Sequence, residues 1–249
     1  MLGLVSVTFR KLLPEEIILL VSRAGLSCIE WGSDIHVPET EPINAEKIGE
    51  LTAAAGLKVS SYGTYYRLLA SQKEQFEQYL HCASLLKAPN LRIWAGTLSP
   101  AAADADYRTK AAAELSDLCK MAADRGLTVS LEYHRGTLTQ TAESTAALLD
   151  CVAADNLFTY WQPNPEISHT DHLAEIALLK DRISNIHVFQ WEHNGTRRPL
   201  SIGTDVWKDC TDALGGFFSD RDFLIEFVED DSESAFLDDA ATLKCWASR

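Results

Sequence analysis

The sequence lacks several features that would point to other classes of protein. Its six cysteines form no CxxC pair, which argues against a disulfide or zinc framework and favours reduced, mostly buried thiols. No stretch resembles the GxGxxG or GxxxxGK loops that bind phosphates in open-sheet folds. No linker rich in Pro, Gly or Ser interrupts the chain. We therefore expect the 249 residues to form one domain, 1–249, around one core.

Positive charge and long apolar runs are also scarce. Lysine and arginine number 22 against 36 acidic residues, so the formal charge is −14. We expect no nucleic-acid ligand, because affinity for nucleic acid comes mostly from basic side chains that displace counterions. No segment approaches the roughly 20 apolar residues of a membrane span, and the N-terminus has no basic leader. We expect a cytoplasmic protein without a membrane segment.

What the sequence does contain is a regular alternation of strand and helix patterns. Eight short runs rich in β-branched and aromatic residues predict strands. The predicted strands are 4–7, 27–31, 58–62, 91–95, 127–133, 158–162, 185–190 and 223–228. Eight amphipathic segments predict helices between and after them. The predicted helices are 14–24, 45–55, 72–87, 105–125, 142–154, 171–182, 205–214 and 233–246.

A short repeated motif marks the junctions between helix and strand. Gly25, Gly56 and Gly126 each stand at the end of a predicted helix and before a leucine that opens a strand. Glycine tolerates the left-handed conformation that ends many helices. With about 31 residues in each unit, the pattern favours an α/β fold of the (β/α)8 TIM barrel type over a doubly wound open sheet.

Polar side chains stand at the ends of the last four predicted strands. In the fifth strand, Glu132 lies on the polar face, because successive side chains of a strand point to opposite sides. Gln162, His187 and Glu226 end the next three strands. The carboxyl ends of the strands meet at one rim of a TIM barrel. Two carboxylates, an imidazole and an amide oxygen there predict a divalent metal site, with Mn²⁺, Mg²⁺, Co²⁺ or Zn²⁺ as the ion.

Four segments in this order resemble the xylose isomerase-like TIM barrels, a family that includes sugar-phosphate isomerases and ketose 3-epimerases. The segments are Cys28-Ile29-Glu30-Trp31, Ser130-Leu131-Glu132-Tyr133-His134, Asn185-Ile186-His187-Val188 and Leu224-Ile225-Glu226-Phe227. The resemblance implies a metal held by residues of the last four strands. Where the family usually has aspartate this chain has Gln162, with Asn164 as a second candidate, so weaker binding or a different metal preference is expected.

The resemblance also implies a mechanism. The ion would hold two adjacent oxygens of a sugar, one of them a carbonyl, and so acidify the neighbouring carbon. Glu132 and Glu226 would be the catalytic acid and base, one removing the proton and the other returning it. The implied partner is a small-molecule sugar or sugar derivative, and the family is compatible with a homo-oligomer. Which glutamate has which role stays open.

Further residues are candidates for substrate contacts. Glu30 faces the barrel interior, where a lone carboxylate needs a partner, so it is expected to bind a substrate hydroxyl or to hold a metal ligand. Aromatic or imidazole rings follow several strands and suit a sugar pocket, although such rings are also ordinary core material. These rings belong to His36, Tyr62, Trp94 and Trp191.

The resemblance adds His134, two residues beyond Glu132, as a contact to substrate or to a metal ligand. His169, in the loop after the sixth strand, is a candidate for contact with the substrate. An equally good interpretation is that it is a histidine near the start of a helix with no such contact. The family often carries an arginine after the seventh strand, which implies that Arg197 or Arg198 binds an oxygen-rich substrate.

The leading hypothesis is thus a metal-dependent sugar isomerase or epimerase. A lyase that performs β-elimination on keto-sugars or oxidised glycosides uses the same first step, and the sequence does not separate the two. A non-catalytic sugar-binding barrel is a third alternative, which Gln162 makes credible. A DNA-repair enzyme of related fold is disfavoured, since seven histidines and the acidic charge do not suit several zinc ions and a basic surface.

Overall fold

A computed structural model describes residues 1–217 and 221–248. The barrel strands are β1 (Leu2–Val5), β2 (Cys28–Gly32), β3 (Lys58–Arg67), β4 (Asn90–Trp94), β5 (Thr128–Leu131), β6 (Leu157–Trp161), β7 (Ile183–Val188) and β10 (Asp222–Ile225). They are parallel and close into a barrel in the order β1-β10-β7-β6-β5-β4-β3-β2. The predicted TIM barrel is confirmed, and the open-sheet alternative is wrong.

Helices follow the strands and cover the outside of the barrel. They are α1 (Pro14–Ala24), α2 (Pro42–Ala54), α3 (Lys73–Leu86), α4 (Ala105–Ala123), α5 (Ala142–Val152), α6 (His169–Leu179), α7 (Thr204–Leu214) and α8 (Glu233–Ala247). Their ends fall within about three residues of the predicted ones. Proline opens α1 and α2, where its missing N–H is not needed. Among the described helices, none is long and apolar enough to span a membrane.

The glycine junctions adopt the conformation that the sequence predicts. Gly25, Gly56 and Gly126 have φ angles of 67°, 76° and 68°. At each of them the chain leaves a helix in the left-handed region and enters the next strand. A small feature was not predicted: β8 (Gln190–Trp191) and β9 (Arg197–Arg198) form an antiparallel hairpin after β7. The predicted seventh strand therefore ends earlier, at Val188.

The two faces of the barrel sheet differ in character. Residues such as Ile29, Leu91, Leu131 and Ile186 belong to the large apolar core that includes the helices. Inside the barrel a much smaller apolar cluster is present, formed by Val5, Val7, Cys28 and Leu224. Polar and charged side chains occupy much of the remaining buried strand positions, among them Glu30, Arg92, Ser130 and His187. The interior is therefore a polar network instead of the branched aliphatic layers common in such barrels.

One buried carboxyl group connects α8 to the loop after β9. Oδ1 of Asp239 accepts a hydrogen bond from the backbone N–H of Leu200 at 2.8 Å. Burial raises the pKa of Asp239 to about 6, and the negative charges of Asp238 and Glu229 act in the same direction. The folded state therefore retains a proton on this group at a pH where the unfolded chain has already lost it.

We expect Asp239→Asn to flatten the dependence of stability on pH. The folded-state pKa is raised, so the native protein loses stability as pH rises from about 4 through 6, by about 2 kcal/mol. Asparagine still accepts the Leu200 hydrogen bond but does not titrate. Urea unfolding at pH 4 to 7 should show that the free energy of unfolding of the variant increases relative to that of the native protein as pH rises. Asp155→Asn, at an exposed position before β6, is the control; identical profiles for the two variants would contradict this account.

Candidate functional site

The side chains predicted at the strand ends do meet at one end of the barrel. Glu132, Gln162 and Glu226 each follow the last residue of their strand, and His187 lies near the end of β7. The backbone ladder continues to these positions: Glu132 N–H donates to Ile93 at 2.9 Å and Glu226 N–H donates to Val188 at 3.0 Å. Both carboxylates are thus fixed by the sheet and not by flexible loops.

An arginine that the sequence analysis did not single out lies at the centre of this group. Arg92, on β4, is only 3% exposed. Its Nε donates to Oε1 of Glu30 at 2.8 Å, and its Nη1 donates to Oε2 of Glu132. The other oxygen of Glu30, Oε2, accepts hydrogen bonds from Ser61 Oγ and Tyr160 Oη, both at 2.7 Å. A buried guanidinium therefore connects the carboxylates of β2 and β5.

His187 is enclosed by acceptors on both sides of its ring. Nδ1 lies 3.0 Å from Oε1 of Gln162 and 3.3 Å from Oε2 of Glu226, while Nε2 lies 3.6 Å from Oε1 of Glu30. Burial alone would lower the pKa of His187, but the carboxylates of Glu226 and Glu30 raise it to about 9. The ring is accordingly an imidazolium near neutral pH, and its Nδ1–H donates to Gln162.

The two cations also determine the charge state of the carboxyl groups around them. Burial would raise the pKa of Glu30, yet the Arg92 guanidinium and the His187 ring hold it well below its usual range. Burial likewise opposes ionisation of Glu226, and the His187 ring with Arg92 lowers its pKa below the ordinary value. Both carboxyl groups are ionised at neutral pH, which suits Glu226 for accepting a proton from a substrate.

A cavity of about 220 Å³ opens above this cluster. Glu132, Gln162, Glu226 and the edge of Arg92 form its charged floor. Aromatic rings and short loops complete the lining, including Tyr65, Trp94, His134, Asn164, Trp191 and Phe227. Phe227 has a φ of 56°, a backbone conformation that is strained for a bulky residue and that is often found at functional sites.

Three of the predicted substrate contacts line this cavity. Trp94 and His134 pack together with ring centroids 4.2 Å apart, and the Arg67 guanidinium covers the Trp94 ring at 3.7 Å. His134 donates from Nδ1 to the backbone carbonyl of Arg135 at 2.6 Å. Trp191 stands in the β8–β9 hairpin, against Phe189 at 4.6 Å. The structure thus brings these three predicted residues to one cavity, and their contact with a sugar stays a prediction.

The other predicted contacts lie elsewhere. Glu30 is fully buried beneath the cavity floor and binds Arg92. His36 is a buried ring between Ser6 Oγ at 3.0 Å and the Leu12 carbonyl at 3.3 Å. Tyr62 is fully buried and donates to the Val37 carbonyl at 2.5 Å. The structure does not bring His36 or Tyr62 to the cavity lining. His36 lies in the loop after β2 and packs against Trp31, whereas Tyr62 of β3 packs against Tyr79 of α3.

His169 and the two arginines after β7 are also absent from the cavity lining. His169 pairs with Asp209 of α7 at 3.0 Å, which agrees with the alternative of a histidine at a helix start. Arg198 pairs with Glu192 across the exposed hairpin at 2.7 Å. Arg197 pairs with Asp231, and its guanidinium lies 4.8 Å from the Phe227 ring. Of these three residues, only Arg197 lies against a ring that lines the cavity, that of Phe227.

Arg92 could have been found from the sequence. It stands in the middle of a short apolar strand, Asn90-Leu91-Arg92-Ile93-Trp94, flanked by residues of the outer face. A charge at an inward position of a buried strand is tolerated only when it is paired and hydrogen-bonded. That rule, applied to Glu30, predicts a partner of opposite charge, and Arg92 is that partner.

The residues as they are arranged do not fit the divalent ion that the sequence analysis predicted. Among the described residues, no group of three or more His, Cys, Asp and Glu side chains is arranged to hold a metal. One Glu132 oxygen binds Arg92, and Gln162 contributes no charge. Two like unit charges about 4 Å apart repel by about 4 kcal/mol at an effective dielectric constant of about 20. A divalent ion bound to Glu132 carries two positive charges, so the Arg92 guanidinium would repel it with about twice that energy.

Comparison with known proteins establishes the family. Residues 18–244 match the sequence profile of the xylose isomerase-like TIM barrels, so the chain belongs to this family. No curated protein matches the chain. Solved structures do match. The probable 3-DHS dehydratase AsbF, involved in petrobactin synthesis in Bacillus anthracis, has a TM-score of 0.81 at 18% identity, over 97% of this chain and 98% of that one.

Two further solved structures share the fold over almost their whole length. An L-ribulose 3-epimerase has a TM-score of 0.79 at 16% identity, over 99% of this chain and 94% of that one. A xylose isomerase-like TIM barrel protein from Mycobacterium smegmatis, in complex with magnesium, has a TM-score of 0.69 at 15% identity, over 96% and 91%. At these identities the similarity establishes the fold, and the chemistry must be argued from the residues of this chain.

We expect Glu30→Gln to destabilise the protein by about 3–5 kcal/mol, because it removes one partner of a buried ion pair and leaves the Arg92 charge undercompensated. The matched control is Glu77→Gln, which removes an exposed pair with Arg125 at 2.7 Å and should change stability by less than about 1 kcal/mol. Urea unfolding of both variants measures the difference. Equal, small effects would show that the Arg92–Glu30 pair is not a structural requirement.

Proposed function

We propose that this chain transfers a proton at a carbon next to the carbonyl of a sugar or sugar derivative, as an isomerase or epimerase. The observation that carries the proposal is that Glu132 and Glu226 line one cavity at the C-terminal end of the barrel. Family membership and the similarity to an L-ribulose 3-epimerase support the choice of reaction class. The acidic net charge also suits a protein that binds small sugars and not nucleic acid.

In this mechanism the substrate lies between the two glutamates. One carboxylate accepts the proton from the carbon beside the carbonyl, the C–H bond breaks, and its electron pair forms an enolate. The other glutamate, which has taken up a proton from water, returns it to the opposite face for epimerisation or to the neighbouring carbon for aldose–ketose exchange, and the first glutamate then releases its proton to water. Arg92 holds Glu132 in a fixed orientation, and His187 faces Glu226. Each group thus keeps its geometry between turnovers.

The cavity walls support a sugar as substrate. Trp94 and Trp191 present broad aromatic surfaces above a floor of carboxylate and amide oxygens. Sugar rings combine apolar C–H faces with hydroxyl groups at their edges, so they bind well where rings and polar acceptors alternate. His134, packed on Trp94, is placed to contact a substrate hydroxyl through Nε2, since its Nδ1 is engaged with Arg135.

Elimination is the second candidate function. An enolate that expels a leaving group from the next carbon yields an unsaturated product, and the same two glutamates would start that reaction. The similarity to a structure described as a probable dehydratase favours this alternative, because dehydration of a keto compound is a β-elimination. A cytoplasmic location and assembly into a homo-oligomer remain part of the proposal, as the sequence analysis and the family resemblance imply.

Hydrogen exchange with solvent tests the proposal and separates the two reactions. The protein is incubated with ketohexoses and 3-keto sugars in D₂O, once with a chelator and once with added Mn²⁺. Deuterium retained in the sugar indicates isomerisation or epimerisation, and a released leaving group indicates elimination. The absence of both signals under both conditions would contradict an enzymatic function and would favour a sugar-binding barrel.

Glu132→Gln and Glu226→Gln should each reduce the exchange rate by about 100-fold or more, because each removes an acid or base group. Glutamine keeps the size of the side chain and loses its proton-transfer capacity. Glu50→Gln, at an exposed position of α2, is the control and should exchange deuterium as the native protein does. Undiminished exchange in both site variants would exclude the two glutamates as the proton-transfer groups.

A further inference from the structure

Arg92 binds Glu132, one of the four residues that the sequence analysis predicted to hold a metal ion. Its guanidinium contacts the carboxylates of Glu30 and Glu132 and belongs to the cavity floor together with Glu226. The side chain is 3% exposed, so its charge is shielded little by solvent. A permanent positive charge therefore stands against the carboxylates of Glu30 and Glu132 at the lining of the cavity.

The backbone is built to accommodate this guanidinium. Arg92 on β4 pairs in register with Gly63 on β3. A Cβ added to Gly63 would lie 2.6 Å from Nη2 of Arg92 and 2.7 Å from Oε1 of Glu30. Only a residue without a side chain leaves room for the ion pair at this place. The φ angle of Gly63 is not in the left-handed region, so close approach, and not backbone conformation, explains the glycine.

Arg92 also retains donor capacity toward the cavity. Nε and Nη1 donate to carboxylates, whereas Nη2 has no hydrogen-bond partner within residues 1–217 and 221–248. A guanidinium has five N–H groups in a rigid plane, and those that remain can bind an oxygen of a ligand. Because Arg92 is part of the cavity lining, a substrate oxygen is the acceptor that fits.

We propose that Arg92 is the fixed cation of this site and that the protein acts on its keto-sugar substrate without a divalent metal ion. The inference rests on the proposed function. When the C–H bond breaks, the electron pair moves to the carbonyl oxygen, and the guanidinium donates a hydrogen bond to the oxygen that becomes negative. When the proton is returned, the electron pair moves back and the guanidinium is unchanged. Charge stabilisation of this kind needs no ion from solution.

Metal titration of the native protein tests the proposal without reference to activity. Protein freed of metal with a chelator is titrated with Mn²⁺ and followed by electron paramagnetic resonance, with Glu132→Gln and Glu226→Gln titrated alongside. The expected result is identical weak binding in all three proteins, because only surface carboxylates contribute. One equivalent of tightly bound Mn²⁺ that both substitutions abolish would overturn the proposal.

Substitution of Arg92 gives a second readout. Arg92→Gln should lower the deuterium exchange rate by about 100-fold or more through kcat, and Arg92→Lys, which keeps the charge but loses the planar fork, should recover part of it. Arg125→Gln, at an exposed ion pair, is the matched control. Arg92→Gln should also gain Mn²⁺ binding that the native protein lacks, since its carboxylates lose their cation. If Arg92→Gln does not fold, the titration of the native protein decides.

Outcomes of the exchange experiment distinguish this inference from the proposed function. Exchange by the native protein in the presence of chelator supports both. Exchange that requires added Mn²⁺ overturns the fixed cation and leaves the proton-transfer function standing. Unchanged kcat in Arg92→Gln, with normal exchange in the native protein, would likewise show that the guanidinium does not stabilise the reacting oxygen.

Discussion

The ion pairs of one buried arginine determine how the mouth of this barrel is organised. Arg92 binds Glu30 on one side and Glu132 on the other, and neither carboxylate would be stable at such depth without a positive partner. Ser61 and Tyr160 complete the hydrogen bonds of Glu30. Strands β2, β3, β4, β5 and β6 are thereby joined through their inward side chains as well as through the backbone ladder.

In the proposed function, that network prepares the site for proton transfer. Glu132 is oriented by a guanidinium, and Glu226 is paired with a buried imidazolium. Charged groups held in fixed positions need no reorganisation when charge develops on a substrate, and their effect is larger in a cavity with few waters than in solution. The aromatic rings of Trp94 and Trp191 line the same cavity. The proposal thus gives the same few side chains both a structural and a chemical role.

The family relationship and the site carry different kinds of information. The profile match and the TM-scores establish a xylose isomerase-like barrel, and within that fold the strand ends are the natural place for catalytic groups. The structural neighbours described above include an epimerase, a probable dehydratase and a magnesium complex. A shared fold therefore does not choose between reactions or cofactors, and Gln162 and Arg92 are the positions where this chain gives its own evidence.

The sequence by itself determined the architecture. The alternation of strand and helix patterns, the glycine junctions and the polar residues at strand ends predicted the barrel and the meeting of Glu132, Gln162, His187 and Glu226. These features depend on local periodicity and on the rule that parallel strands end at one rim. The positions of Trp94, His134 and Trp191 at the cavity followed from the same rule.

Only the tertiary structure decided which charges touch. Glu30 and Arg92 are 62 positions apart, and their contact depends on strand register, on the irregularity between Ile29 and Glu30, and on the space above Gly63. Sequence periodicity shows which face of its strand a side chain occupies. It does not show whether side chains on two different strands lie at the same height along the barrel axis. His36 and Tyr62 were expected at the cavity and lie in outer packing for the same reason: the pocket is defined by long-range contacts that no short segment encodes.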